Sequence, residues 1–417
     1  EGAGRAVESR AVADVRPFRA LRYQPLAGHL DELVAPPYDV IGADERRALQ
    51  ERSPHNAVRL ELPDPPYEAV ADVVAQWREA GILAPAERPG IVAWKQSFTM
   101  DGATAERRTL LATVALAPYE DRVVRPHERT HRGPKEDRLR LYRAVRLHVS
   151  PVFGVYPDPQ GAAWAAAGVA GEPDSVMITD GGQVEHRVWW IDDPARLQAV
   201  AAALADRWIL IADGHHRYET ALAYQAERRA AEGDPAGAQP YDSVLMGLTA
   251  LDDPGLVVLP THRVLTEWPE GAAGRLRAEP LADLDALLAA LAAAPQEAAA
   301  LGLVRPDGFA LLTADLPESA SPAERLDVAV LEREVLVPDL GDDQAALTGR
   351  GVLSYVKDAR EAAALVADGR AAAAVLLRPI PKTAVAAVSD AGETMPQKST
   401  YFFPKLLTGV AFHDLDG

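Results

Sequence analysis

The spacing of apolar and polar positions changes sharply between residues 207 and 224, RWILIADGHHRYETALAY. Trp208-Ile209-Leu210-Ile211-Ala212 is an unbroken apolar run, the pattern of a short strand covered on both faces. Asp213-Gly214 follows as a turn, because glycine accepts a backbone conformation that a Cβ resists. From His216 the spacing becomes helical, with Tyr218, Ala221 and Leu222 on one face. Strand, Gly turn and helix in that order leave free N–H groups and the positive end of a helix dipole at the turn, a setting that favours an anion. His215, His216 and Arg217 crowd the same spot. The competing reading is a polar loop in which Asp213 caps the helix and the histidines do no chemistry.

The same patterns run along the rest of the chain. Helices are predicted over 44–52, 67–81 and 194–204, and strands over 56–62, 149–156, 176–179 and 187–191. Residues 91–100 and 108–116 read as strands joined by a hairpin at Asp101-Gly102. Two apolar runs, 243–251 and 257–260, follow the central motif, the second ending in Thr261-His262-Arg263, a third polar cluster at the end of an apolar run. Residues 269–300 turn to Ala, Leu and Glu and read as a helical pair. Beyond them a strand at 311–312 and a helix over 325–336 are expected, then strands at 353–356 and 373–377 flanking a helix at 358–368. This alternation predicts a mixed α/β (α+β) architecture. Residues 1–13 are expected to form a loose tail, 14–268 an N-terminal α/β region with the DGHHR turn, and 269–417 a C-terminal α/β region with the MPQKST segment.

Composition narrows the chemistry. The 417 residues carry a formal charge of −18, with 48% hydrophobic and 25% charged positions. Such an acidic surface repels nucleic acid and anionic membrane, so the expected partner is a small-molecule substrate. The absence of cysteine excludes disulfides, thiolate nucleophiles and Cys–zinc sites. No apolar stretch long enough to span a bilayer and no signal peptide stands out, which predicts a cytoplasmic location. Nothing in the sequence sets the oligomeric state.

Against that acidity, residues 122–148 hold a local basic excess: Arg125, His127, Arg129, His131, Arg132 and Lys135 precede a helix expected to begin near Lys135. The alternative is a solvated loop paired to nearby carboxylates. His127, Glu128 and His131 form an H-E-x-x-H match, which in zinc proteases needs a helix to place both histidines on one face. Pro126 just before it and Gly133-Pro134 just after it deny it that helix, so zinc is not expected. Near the C-terminus, Lys398, Ser399, Thr400 and Lys405 gather hydroxyls and ammonium groups suited to a phosphate, without the glycines of a P-loop. A docking segment anchored by Tyr401, Phe402 and Phe403 explains the same residues.

ADGHHRYETAL resembles the signature of domain of unknown function family 1015. VRPFRALRY (15–23), LVAPPYDVI (33–41), SPHNAVRLELP (53–63), RPHERT (125–130), PKEDRL (134–139) and MPQKSTYFFPKLLTG (395–409) resemble that family in order, over residues 14 to 412. More distantly, the DGHHR turn is similar to the G-x-x-R turn of the ParB/sulfiredoxin superfamily, where a Gly turn and an Arg hold nucleotide phosphates. That resemblance implies a strand–turn–helix core with an additional α/β domain, and nucleotide binding; the superfamily includes kinases of free serine. Sulfiredoxin chemistry needs a Cys where this chain has His215. The leading expectation is therefore a nucleotide-dependent small-metabolite phosphotransferase, a free serine kinase being one form, using ATP or ADP with Mg. Arg217, Lys135 and Lys398 would clamp phosphate, aided by Gly214, Ser399, Thr400 and Lys405. Asp213 would hold the metal. Glu128, His127, His215 or His216 would act as base. The three clusters are expected to line one pocket. A metal-dependent hydrolase at His127, Glu128 and His131, and a non-catalytic nucleotide- or metabolite-binding regulator, are the alternatives.

Overall fold

A computed structural model describes residues 12–64, 66–100, 102–128 and 132–417. Most of the expected N-terminal tail, together with Arg129 and His131, lies outside the described residues, as do the side chains of 132–134. The chain is mixed α/β and divides into two compact units. Unit 1 comprises Glu1–Arg125, His131–Leu256 and Pro404–Gly417; unit 2 comprises Pro126–Thr130 and Val257–Phe403.

Unit 1 is built on a nine-stranded mixed sheet. Its strands run in the order Val124–Arg125, Ile209–Asp213, Val152–Tyr156, Ser243–Ala250, Ala103–Ala115, Ile91–Met100, Val184–Ile191 and Ser175–Thr179, with Val15–Arg16 added along Ala103–Ala115. Two of the pairings are parallel, Ile209–Asp213 with Val124–Arg125 and Ser243–Ala250 with Val152–Tyr156. The unbroken run at 209–212 is explained by burial on both faces. Ile209 and Ile211 enter a core with Tyr218, Ala221 and Tyr224 of the helix His215–Glu232, while Leu210, on the opposite face, is fully buried as well. The helix Arg132–Val145 lies along His215–Glu232, where Arg143 Nε donates to Glu227 Oε2 at 2.9 Å.

One expected strand is a helix. Residues 56–62 hold the short helix Val58–Glu61. Asn56 is the reason: its Nδ2 donates to the Glu32 and Val34 carbonyls, and its Oδ1 accepts from the Val58 N–H. A side chain that offers the backbone local partners favours a turn over a ladder. Ala57, Val58 and Leu60 are fully buried in that conformation, which accounts for their apolar character.

Unit 2 holds a six-stranded antiparallel sheet, ordered Arg277–Leu281, Gly308–Ala314, Ala299–Arg305, Ala373–Leu376, His262–Leu265 and Leu353–Val356. The βα alternation at its end is a split unit. Leu353–Val356 and Ala373–Leu376 both run antiparallel to His262–Leu265, which is inserted between them. The helices Leu284–Ala293 and Ala359–Ala367 bury Leu287, Leu291, Ala362 and Val366 in one core with this sheet. The expected helical pair at 269–300 is one helix between two strands, Asp283 capping it by accepting from the Ala286 N–H. Tyr401–Phe403 pairs with Val257–Leu259 and buries Phe402. Among the described residues no helix is long and apolar enough to cross a membrane.

Candidate functional site

In unit 1 the polar groups gather where Ile209–Asp213 ends. Gly214 has φ +90° and leads directly into the helix His215–Glu232. That conformation lets Arg217 fold back over the turn: a Cβ at residue 214 would stand 2.9 Å from Arg217 Nε and 3.0 Å from Cζ. The guanidinium is 4% exposed. Its Nη2 donates to Asp213 Oδ2 at 2.6 Å and its Nη1 to the Pro151 carbonyl. The other Asp213 oxygen, Oδ1, accepts from Lys405 Nζ. One carboxylate is therefore bracketed by two cations, one from the next helical turn and one from near the C-terminus. His215 is buried at the first helical position and His216 is half-buried beside it.

A second, buried polar layer adjoins Arg217. Glu61 is 3% exposed and accepts from Ser150 Oγ at 3.1 Å, and Arg138 Nη1 lies 3.8 Å from it. Burial pushes the Glu61 carboxyl up, and the nearby guanidinium groups of Arg138 and Arg217 only partly oppose this. For Arg217 itself burial pulls the pKa down, but Asp213, then Asp39 and Glu61, outweigh it and leave a net upward shift. Tyr38 is pushed up to about 12, chiefly by burial. The Arg138 guanidinium lies over the Tyr38 ring, 4.4 Å from its centroid. Tyr38, Asp39, Glu61 and Arg138 were not singled out by sequence reasoning, although they stand in the stretches APPYDV, RLELP and PKEDR. A charged residue inside an apolar run, as at Glu61, is the signal that marks such a group.

The remaining expected residues fall elsewhere. Lys135 forms an ion pair with Glu219 on the neighbouring helix. Arg125 lies over the Trp208 ring, 4.6 Å from its centroid. In unit 2, His127 is fully buried and its Nε2 stands 2.9 Å from Thr400 Oγ1. Glu128 Oε1 accepts from the Ser399 N–H at 3.2 Å, and Thr400 Oγ1 reaches the same oxygen at 3.5 Å. Ser399 and Thr400 are buried, Ser399 Oγ donating to the Pro396 carbonyl, and Lys398 is exposed with φ +55°. The candidates thus sort into two groups, Asp213, Gly214, Arg217 and Lys405 in unit 1 and His127, Glu128, Ser399 and Thr400 in unit 2. His127 and Glu128 lie in extended backbone that precedes the helix Arg132–Val145, so the H-E-x-x-H match has no helix to align its first two residues. Among the described residues no three His, Asp or Glu side chains gather as a metal site.

Unit 2 also carries Arg263, fully buried, with Nε on Gln344 Oε1 at 2.9 Å and Nη1 on the Thr261 carbonyl. A cavity of about 650 Å³ opens beside Thr261 and Ser399, lined largely by aliphatic and proline side chains such as Leu326, Leu377, Pro379 and Ile380.

Residues 15–329 match the family described as Protein of unknown function (DUF1015), and the chain belongs to that family. No curated protein matches the chain. Among solved structures it is similar to a free serine kinase in complex with AMP, at 13% identity and a TM-score of 0.38, covering 70% of this chain and 88% of that one. It is similar to a conserved hypothetical protein from Pyrococcus furiosus at 15% identity and a TM-score of 0.35, covering 68% and 89%. It is also similar to SbnI with C-terminal truncation from Staphylococcus aureus, at 13% identity and a TM-score of 0.37, covering 70% and 84%. Likenesses of that size say nothing of what this chain binds.

Proposed function

We propose that the protein is a nucleotide-dependent phosphotransferase acting on a small hydroxyl-bearing metabolite, with free serine the first acceptor to test. The observation that carries this reading is the bracketing of Asp213 by Arg217 and Lys405 at the start of a helix. Two cations converge there on one carboxylate, within a chain of net charge −18. Phosphoryl transfer asks the protein mainly for positioning and for cations on the moving phosphoryl oxygens. Arg217 supplies a planar fork and Lys405 a point charge, while the N–H groups at the helix start add neutral donors.

Both Asp213 oxygens accept from cations, so this carboxylate is placed to hold Arg217 and Lys405 rather than to ligate Mg²⁺. Isothermal titration with ATP, ADP and AMP tests the binding step, and transfer from labelled ATP to L-serine tests turnover. No affinity for any nucleotide would sink the proposal. Binding without transfer to serine or other small hydroxyl compounds would favour the regulator.

A further inference from the structure

We infer that the cavity in unit 2 is a binding site for a small apolar molecule that carries one carboxylate. The inference stands apart from the phosphate reading of Asp213. A space of about 650 Å³ is of the size that encloses a small organic ligand. Its wall runs from Leu326 and Val328 to residues 377–381, which follow the strand Ala373–Leu376, and on to the helix Lys382–Asp390. Pro379 and Pro381 have no N–H, so this stretch offers the cavity few donors. The helix buries Val385 and Val388 and lines the cavity with Ala384 and Ala387, side chains too short to fill it.

The charged groups in this wall differ in what they have left to offer. Arg378 spends all five of its N–H groups: Nε and Nη2 donate to the two oxygens of Asp327 at 2.7 and 2.8 Å, and the others go to the carbonyls of Ala294, Pro295 and Ala298. Asp327 also accepts from the Ala300 N–H, so this ion pair is closed and braces the wall. Arg325 is held differently. Its Nε donates to the Ala320 carbonyl at 3.0 Å, and its Nη2 to the Pro317 and Glu318 carbonyls at 3.3 and 2.8 Å. Three carbonyls fix an exposed guanidinium in place without neutralising it. Among the described residues no carboxylate pairs with Arg325, and its Nη1 keeps both N–H groups for a ligand. The Glu324 and Glu393 carboxylates accept instead from the Ser321 and Ala323 N–H groups. Thr383 brings the first turn of the helix Lys382–Asp390 into the same wall, and with it the positive end of the helix dipole. An apolar body suits the aliphatic lining, and one carboxylate suits the one prefixed cation, through a charge-assisted bond. A cationic ligand would meet Arg325 as a like charge.

The test is calorimetric titration of the full chain with octanoate, 1-octanol and octylammonium, each below its aggregation concentration, on the parent, Arg325→Gln and Ala387→Phe, with a thermal melt of each. The parent should bind octanoate about tenfold or more tightly than octylammonium. That preference runs against the overall field, since a chain of net charge −18 attracts the cation. Arg325→Gln should weaken octanoate about tenfold and leave octanol unchanged. Ala387→Phe, at an exposed helical position, should melt like the parent and weaken both octanoate and octanol by filling the space. A parent that does not bind octanoate, or binds it no better than octylammonium, would overturn the inference. Unchanged octanoate affinity in Arg325→Gln would overturn it as well, and that comparison decides alone if Ala387→Phe does not fold. ATP titration reads the Asp213 site separately, so either reading can fail while the other stands.

Discussion

Lys405 reaches back 192 residues to place its ammonium on Asp213 Oδ1, while Arg217 holds the opposite oxygen of the same carboxylate. The PKLLTG segment (404–409) and the DGHHR turn are thereby parts of one arrangement within unit 1. Lys405→Met removes one of the two cations on Asp213 while Arg217 keeps the other, so stability should fall by about 1.5–3 kcal/mol. Phosphate affinity should fall about tenfold or more, since a charge-assisted contact is lost. Urea denaturation and phosphate titration on the same preparation separate the two effects. Equal affinity in a folded variant would take Lys405 out of the clamp.

Gly214 is required twice over. Its φ of +90° is strained for any residue with a Cβ, and that Cβ would press on Arg217 at 2.9 Å. Gly214→Ala should therefore destabilise unit 1 by ~1–3 kcal/mol. It should also push Arg217 off Asp213, so phosphate affinity should drop further than in Lys405→Met. A melting temperature equal to the parent's would show that the turn relaxes without cost.

The strand, turn and helix at 207–224 were legible because the apolar period changes there and because a glycine at a sharp bend has few alternatives. The pairing of 91–100 with the strand that follows it was legible too, and Met100 opposite Ala103 puts residue 96 opposite 107; the pairing of two polar side chains in the interior is what a period-two pattern does not announce. Glu61 escaped notice for the opposite reason. Its neighbours Val58, Leu60 and Leu62 read as a strand, whereas Asn56 nucleates a helix turn that carries Glu61 into the interior beside Arg138. The sequence shows charge but not burial, so Arg217 looked like a surface site residue, while the fold makes it a core guanidinium with two structural hydrogen bonds.

Unit 2 should be sensitive to acid. His262 is 4% exposed and its Nδ1 accepts from the Leu377 N–H, which needs the neutral ring. Burial, with Arg263 adding to it, lowers its pKa from 6.5 to about 4. A depressed folded pKa means that the unfolded chain binds the proton more readily. The stability contribution is thus complete above pH 6.5 and is lost as pH falls toward 4. The span corresponds to about 3 kcal/mol. His262→Asn, whose Oδ1 can accept the same N–H without titrating, should flatten the fall in urea stability across that window. A parent and variant with parallel pH profiles would exclude His262 as the cause.

Arg217→Lys is the substitution that weighs structure against function at the centre of the site. Lysine keeps the charge but cannot serve the Pro151 carbonyl and Asp213 Oδ2 at once, because it lacks the rigid fork. Since Arg217 is 4% exposed, the lost bond should cost roughly 1.5–3 kcal/mol of stability. The chain should still fold, because charge is conserved and Asp213 retains Lys405. Phosphate affinity should drop about tenfold, the fork having matched two phosphate oxygens where an ammonium meets one. Affinity must be compared at a temperature well below both melting transitions, so that unfolding does not pass for weak binding. A folded Arg217→Lys that binds ATP like the parent would show that Arg217 only braces the turn. A folded variant with weakened binding, its stability loss confined to the stated range, would place the guanidinium on the phosphate itself.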